Sequence, residues 1–457
     1  MLTNGGVSFW HTQLGRPERR PSLPGSTEVD VCVVGAGYTG LWTAYYLRKA
    51  APRLRIVVLE REFAGYGASG RNGGWLTSSV AGSSERYARD AGREAAIALQ
   101  RVMIDAVDEV IAVAEGEGIE ADIVKGGELA VATTPAQLVR LRAAAEHETA
   151  WGQTDLTLLS ADELAARVRI DGALGGFHHP NSARVHPAKL VRGLAAAVER
   201  LGVPIHESTP VTAIDPHRVT TPYGTVRAEF VLRATEGFTA RLPGLRREWL
   251  PMNSSMVVTE PLSAAVWDEI GWANREVLGD EAHAYMYAQR TADDRIAIGG
   301  RGVPYRYGSR TDADGHTHES TIAALRAILT RFWPATRDAA IEHAWSGVLA
   351  VPRDWCSTAG LDRSTGLGWA GGYVGHGVTT TNLAGRTLRD LVLGQDTELT
   401  RLPWVGRRVR RWEPEPVRWL AVRAVYAAYR AADRQELRST TDRTSPLAWL
   451  ADHLSGR

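Results

Sequence analysis

The chain has 457 residues, 44% hydrophobic and 23% charged, an ordinary globular composition with length enough for two domains. A formal net charge of +1 argues against a nucleic-acid binder, and two cysteines, Cys32 and Cys356, cannot build a disulfide framework or a cysteine-only zinc site. No apolar run reaches the ~18 residues of a membrane span, and the first residues lack the apolar core of a signal peptide, so the expected location is the cytoplasm.

Residues 1–25 read as an arm with Phe9 and Trp10 as anchors. The β-branched run Val29–Val34 predicts a buried parallel strand, residues 41–49 a helix, and Arg55–Glu60 a second strand, which completes a β–α–β unit. Residues 64–82 form a Gly/Ser/Asn-rich loop, and 83–118 read as helical. Glu128–Ala132 is strand-like and 135–150 helical; Ala161–Val168 is a short helix capped by Ser160, with Glu163 completing a capping box. His186-Pro187 opens a helix to about Leu201. Val211–Ile214 and Phe230–Ala234 are strand-like, and polar–apolar alternation between 252 and 300 predicts an antiparallel sheet in a separate domain. A late strand, Leu367–Ala370, passes through a Gly-rich turn into a helix from about Thr379 to Leu393. From 401 to 439 ten arginines stand against four acids, with Trp404, Trp412 and Trp419 interleaved. A helix begins at Pro416, and two readings stay open for it: a surface helix docked by its aromatic side, or a basic amphipathic helix making peripheral contact with a membrane or partner.

Gly35, Gly37 and Gly40 have the spacing of a dinucleotide fingerprint. In that motif the first glycine makes the tight turn, the second admits the pyrophosphate and the third lets helix and strand pack closely. The helix start behind them directs N–H groups and a positive dipole end at the phosphates. Glu60 closes the second strand where a ribose-binding acid is needed and disfavours a 2′-phosphate. The motif alone does not separate FAD from NAD.

Gly67-Ala68-Ser69-Gly70-Arg71-Asn72-Gly73-Gly74 resembles the flavin-carrying loop of the D-amino acid oxidase superfamily, most closely its gamma-glutamylputrescine oxidoreductase-like branch. Further motifs follow in the family's order: Val185-His186-Pro187, Gly299-Gly300-Arg301-Gly302, Gly371 to Val378 and Leu383-Ala384-Gly385-Arg386. The resemblance implies an α/β fold in which a Rossmann-type, glutathione-reductase-like FAD-binding domain is interleaved with an antiparallel-sheet α+β substrate domain. The expected division is 26–82, 165–245 and 340–400 for FAD, 83–164 and 246–339 for substrate, and 401–457 as a basic helical tail. It implies that Gly35, Gly37, Tyr38, Thr39 and Gly40 hold the pyrophosphate and that Glu60, with Arg61, meets the ADP ribose. Ala68, Ser69, Gly70, Arg71, Asn72 and Gly73 would run along the isoalloxazine, Val211 beside the adenine, and Ala234 and Thr235 at a strand end near the cofactor. Gly372, Gly375, His376, Gly377, Val378 and Thr379 would lie at the flavin's pyrimidine edge, where a helix start can stabilise the charge that develops on reduction.

Three departures from the family pattern stand out. Glu236 replaces an amide near the cofactor, which leaves open whether it alters the preferred substrate charge. Ala297 stands where some oxidases keep an oxygen-activating lysine, which leaves O2 and other electron acceptors both open. Cys356 is offset from the cysteine that binds flavin covalently in sarcosine-oxidase-like members, so non-covalent FAD is expected. The implied reaction is oxidation of a C–N bond in a small amine or amino acid by hydride transfer, giving an imine that hydrolyses. The alternatives are a tailoring oxidase or desaturase of a biosynthetic pathway and a nucleotide-binding module without redox activity. Substrate-side candidates are Arg71, Met256, Tyr285, Tyr287, Arg301 and His376; two readings stay open for Arg301, a clamp on a carboxylate or phosphonate and a structural salt bridge at a strand end.

Overall fold

In the computed structural model, which describes residues 2–311 and 314–455, two sheets organise the chain. The run Thr27–Val34 has apolar residues on both faces of its second half and lies at the centre of a parallel array. Gly224–Arg233 flanks it on one side, Ile56–Leu59 and then Ile205–His206 on the other. Leu367–Gly371 extends the parallel array beyond Gly224–Arg233. Helices Tyr38–Ala50, Pro187–Arg200 and Gly377–Leu393 cover one face around Val31, Val33, Leu41, Leu194 and Val378. Thr27–Val34, Tyr38–Ala50 and Ile56–Leu59 make the short β–α–β crossover of a Rossmann-type sheet, and the later strands are reached through long insertions that build the second sheet.

The second sheet has nine strands of mixed direction, from Thr3–Asn4 and Ile341–Val351 through Leu250–Thr259, Ile296–Gly300, Met286–Arg290, Val277–Asp280 and Glu128–Ala132 to Gly175–His179 and Thr157–Ser160. Helices Ala264–Ile270 and Glu319–Phe332 close one face around Val257, Ile298, Trp272 and Trp333. The opposite side of its central strands faces the first sheet and the cleft between them.

Several boundaries differ from the sequence reading. The 83–118 helix is two helices, Ser84–Ala91 and Arg93–Gly116, because Gly92 at φ +90° ends the first and starts the second. The 161–168 helix keeps its capping box but stops at Ala165. The strand expected at Val211 begins at Ala213, and Val211 itself is loop. Sheet pairing also moves two segments. Gly175–His179 and Ile341–Val351, expected on the cofactor side, are ladder partners of Glu128–Ala132 and Leu250–Thr259 in the large sheet. Sequence patterning sees which residues are apolar but not which edge they pair with.

The arm is folded rather than extended. Thr3–Asn4 pairs with Ile341–Val351, and Phe9–Leu14 is a helix capped by Ser8. At the other end, Val417–Glu436 packs Val422, Val425, Tyr426 and Tyr429 against Leu250, Met252, Tyr305 and Val351, so its aromatic side is docked on the body. No helix among the described residues is long and apolar enough to cross a membrane.

Candidate active site

The cleft begins at the end of Thr27–Val34. Gly35 adopts φ +109°, and a Cβ there would stand 2.6 Å from Ala234 O. Gly40 has no room either: its Cβ would lie 1.9 Å from Gly35 O, so helix and turn touch backbone to backbone. Gly37 caps helix Tyr38–Ala50 and has no side chain to bond the first N–H groups, whereas Ser83, Thr134, Ser160 and Ser263 cap other helices. Ser69 Oγ takes one of those N–H groups, from Tyr38 at 2.8 Å; the rest of this helix end opens on the cleft. Glu60 accepts from Ala36 N and Glu62 N, both at 2.9 Å, and burial pushes its pKa up to about 7 against those two bonds. Arg61, Thr209 and Val211 line this end of the cleft, and Ala234, Thr235 and Phe238 line its middle.

The loop 67–74 is pinned from behind through four consecutive carbonyls, bonded by the arm helix with its cap and by two strands of the large sheet. Ser8 Oγ donates to Gly70 O (2.6 Å), Trp345 Nε1 to Arg71 O (2.8 Å), Trp10 Nε1 to Asn72 O (2.9 Å) and Gln289 Nε2 to Gly73 O (2.6 Å). Asn72 ties the loop internally, from Nδ2 to Ser69 O and from Gly74 N to Oδ1. Arg71 is buried over the Tyr66 ring, 4.4 Å from its centroid, with Nε donating to Tyr66 O. Gly73 lies under the Tyr287 ring, where a Cβ would meet Cε2 at 2.8 Å.

The third wall is the chain after Leu367–Gly371. Gly372 (φ +73°) and Gly375 (φ +118°) turn it, and helix Gly377–Leu393 starts behind His376, again with no side-chain cap. Tyr373 OH lies 2.9 Å from Thr39 Oγ1 and joins this helix start to the first one. Glu236, held at φ +44°, accepts from Gly372 N (3.3 Å) and Tyr373 N (3.1 Å); burial pushes its pKa up to about 7. Its carboxylate is therefore engaged in fixing this turn. The residue also lines the cleft. Burial, and then the charge of Arg301, push the His376 pKa down to about 4, so its imidazole is neutral at physiological pH.

Tyr285, Tyr287, Arg301, Ser254 and His376 close the inner end. Tyr287 OH pairs with Ser254 Oγ at 2.8 Å, and Arg301 Nη2 donates to Tyr285 OH at 3.0 Å. Arg301 Nε and Nη1 are buried with no partner, and no carboxylate pairs with this guanidinium among the described residues.

Most sequence candidates share this one cleft: Gly35, Gly37, Tyr38, Thr39, Glu60, Arg61, Ala68, Ser69, Arg71, Asn72, Gly73, Val211, Ala234, Thr235, Gly375, His376, Gly377 and Val378, with Tyr285, Tyr287 and Arg301. Five do not reach its wall. Gly40 is spent on helix packing, and Gly70 sits against His11 and Gly65 O. Gly372 rests on Pro352, and Thr379 is inside its helix. Met256 is buried among Phe9, Trp10 and Trp345, because the arm covers that part of its strand. Sequence reasoning missed Ser254, Trp75, Tyr373 and the wall from Gly347 to Leu349. Ser254 shares a strand face with Met256, so the alternation was there to be read. Neither cysteine lines the cleft: Cys32 lies in the central strand and Cys356 against Gly82. Lys49, Lys125 and Lys189, the only lysines in the chain, do not line it either.

Residues 30–391 match the DAO family, described as FAD dependent oxidoreductase. The chain belongs to that family. The cleft fits an FAD on its own terms: two uncapped helix starts face an elongated groove, glycines clear its floor and an acid stands at the ribose end. This DAO-family flavoenzyme is 31% identical to the gamma-glutamylputrescine oxidoreductase of Escherichia coli strain K12 over 423 residues, 90% of this chain and 96% of that protein. It is 29% identical to the probable oxidoreductase OrdL of Haemophilus influenzae over 403 residues, 86% of this chain and 89% of that one. In fold it resembles glycine oxidase from Geobacillus kaustophilus, with a TM-score of 0.69 at 22% identity over 83% of this chain and 99% of that one. Iminodiacetate oxidase from Chelativorans sp. BNC1 has a TM-score of 0.66 at 19% identity, over 83% of this chain and 100% of that one.

Proposed function

We propose that this enzyme oxidises the C–N bond of a small amine that carries a carboxylate, an amino acid in the broad sense. The observation that carries the reading is the Arg301 guanidinium, buried at the inner end of the cleft with Nε and Nη1 unpaired. A buried charge without a partner is costly to a fold, and a guanidinium with donors to spare matches a carboxylate. The names of the relatives agree with the class: one acts on gamma-glutamylputrescine, and structural neighbours are oxidases of glycine and iminodiacetate.

When bound, FAD supplies a hydride acceptor at N5. The residues around Gly35–Thr39 and Glu60 would hold its pyrophosphate and ribose, with the FAD non-covalently bound. The chain's own task is to orient and dehydrate the substrate. Arg301 and Tyr285 fix the carboxylate end, while Tyr287, Trp75 and Leu349 supply apolar wall. The fixed charge of Arg301 and the low dielectric around it favour the neutral amine, the form able to lose a hydride. His376, neutral in its turn, is available as a hydrogen-bond partner rather than as a charge. The product imine hydrolyses in water.

The test compares an amino acid with its methyl ester in anaerobic reduction of the bound flavin. Reduction by the acid and loss of reduction with the ester support the reading. Equal rates overturn it.

A further inference from the structure

Helix Val417–Glu436 lies beyond the family match, which ends at residue 391, yet it packs against the two loops that bring Tyr285 and Arg301 to the cleft. Tyr426, Tyr429, Arg430, Asp433 and Glu436 share one helical face by their spacing. That face grips two loops. Asp433 accepts from His283 N at 2.8 Å and Ala284 N at 3.0 Å; Tyr429 stacks on the His283 ring, 5.9 Å between centroids, and Glu436 lies 3.0 Å from His283 Nε2. Arg430 Nη2 donates to Arg301 O at 3.3 Å and to Gly302 O. The first loop delivers Tyr285 and the second delivers Arg301.

One turn before Arg430, Tyr426 is 5% exposed and its hydroxyl has no partner. It stands within electrostatic reach of the Arg301 guanidinium, together with Tyr285 and Tyr287. A buried, unbonded hydroxyl costs stability, so its retention calls for a use.

We propose that this helix is the specificity element of the substrate pocket, with Arg430, Asp433 and Tyr426 as positioning residues that set the Arg301–Tyr285 pair. The inference rests on the reading that Arg301 receives a carboxylate. It makes substrate selection depend on a segment outside the family's common domain, while the cofactor groove is built without it.

The test titrates the FAD-loaded protein with benzoate, read from the change it causes in the visible flavin spectrum. Arg430 is exposed, so Arg430→Ala leaves no cavity, and Tyr426→Phe removes only an unbonded hydroxyl. Each is expected to weaken benzoate about tenfold, the equivalent of one hydrogen bond at the anchor, with FAD content unchanged and the Tm not lowered. Arg430→Lys, which keeps a donor, is expected to recover most of the loss. A role in folding alone would move Tm and leave the benzoate constant where it is. Unchanged benzoate binding in both variants, beside its loss in Arg301→Met, overturns the inference and leaves the carboxylate reading standing. Benzoate that fails to perturb the wild type, or binds Arg301→Met as tightly, overturns both.

Discussion

Replacing Arg301 by methionine separates a substrate anchor from a structural residue, because the two roles predict opposite signs. In the fold, Arg301 makes one side-chain hydrogen bond, to Tyr285 OH, and leaves Nε and Nη1 buried without partners. Methionine keeps most of the apolar stem and removes an uncompensated charge, so the ligand-free protein should unfold at the same temperature or higher. For a substrate whose carboxylate meets this guanidinium, losing one side of a buried charged pair costs about 2–5 kcal/mol, or about 30- to 5,000-fold in kcat/KM. Arg301→Lys keeps the charge but loses the fork, and should fall between the two. The assay is paired: thermal unfolding of the ligand-free holoenzyme and anaerobic flavin reduction across substrate concentrations. A lower Tm with intact kinetics would refute the reasoning and make Arg301 part of the scaffold.

Three further outcomes follow from the same geometry. Glu236→Gln should leave the preference among substrate charges unchanged, since an amide oxygen can still accept from the Gly372–Tyr373 turn, whereas Glu236→Ala should weaken FAD retention; a changed charge preference in the glutamine variant would put Glu236 back at the substrate. Trp10→Ala removes an indole that is 1% exposed and unbonds Asn72 O, at a cost of about 3–5 kcal/mol; FAD affinity should fall with stability, and unchanged affinity would mean that the arm does not support the flavin loop. Burial raises the pKa of Glu128 to about 8 and those of Glu148 and Asp280 to about 7, all away from the cleft. The folded state holds more protons than the unfolded one on these groups, so their stabilisation is full at acid pH and lost as pH rises through 7–8. Burial lowers His11, His179, His186 and His376 to about 4, so they cost stability only below ~6.5 and are silent above it. The Tm should therefore fall between pH 6.5 and 8.5; a rise would contradict these burials.

The cofactor groove was legible because its requirements are local. A glycine at 35 or 40 is demanded by backbone contacts within the β–α–β unit itself, and Glu60 follows from strand length. The family likeness added the loop 67–74 and the turn 371–378 before any geometry was known. What did not show is long-range. Nothing around Trp10 says that its indole reaches Asn72 O, and nothing around Arg430 says that it reaches Arg301 O. Met256 looked as eligible as Ser254, because period-two alternation gives a face and not the depth at which another segment covers it. Glu236 was read by its charge, and its hydrogen bonds to the Gly372–Tyr373 turn are long-range too.

The proposed reaction has FAD in this cleft take a hydride from an amine or amino acid. It is tested most directly by mixing the purified, FAD-loaded protein with a panel of amines and amino acids in the absence of air and following the visible flavin band. The account predicts that carboxylate-bearing amines bleach it and that the corresponding imine-derived carbonyl product accumulates in step. A fully flavinated protein whose colour no amine or amino acid removes would contradict it.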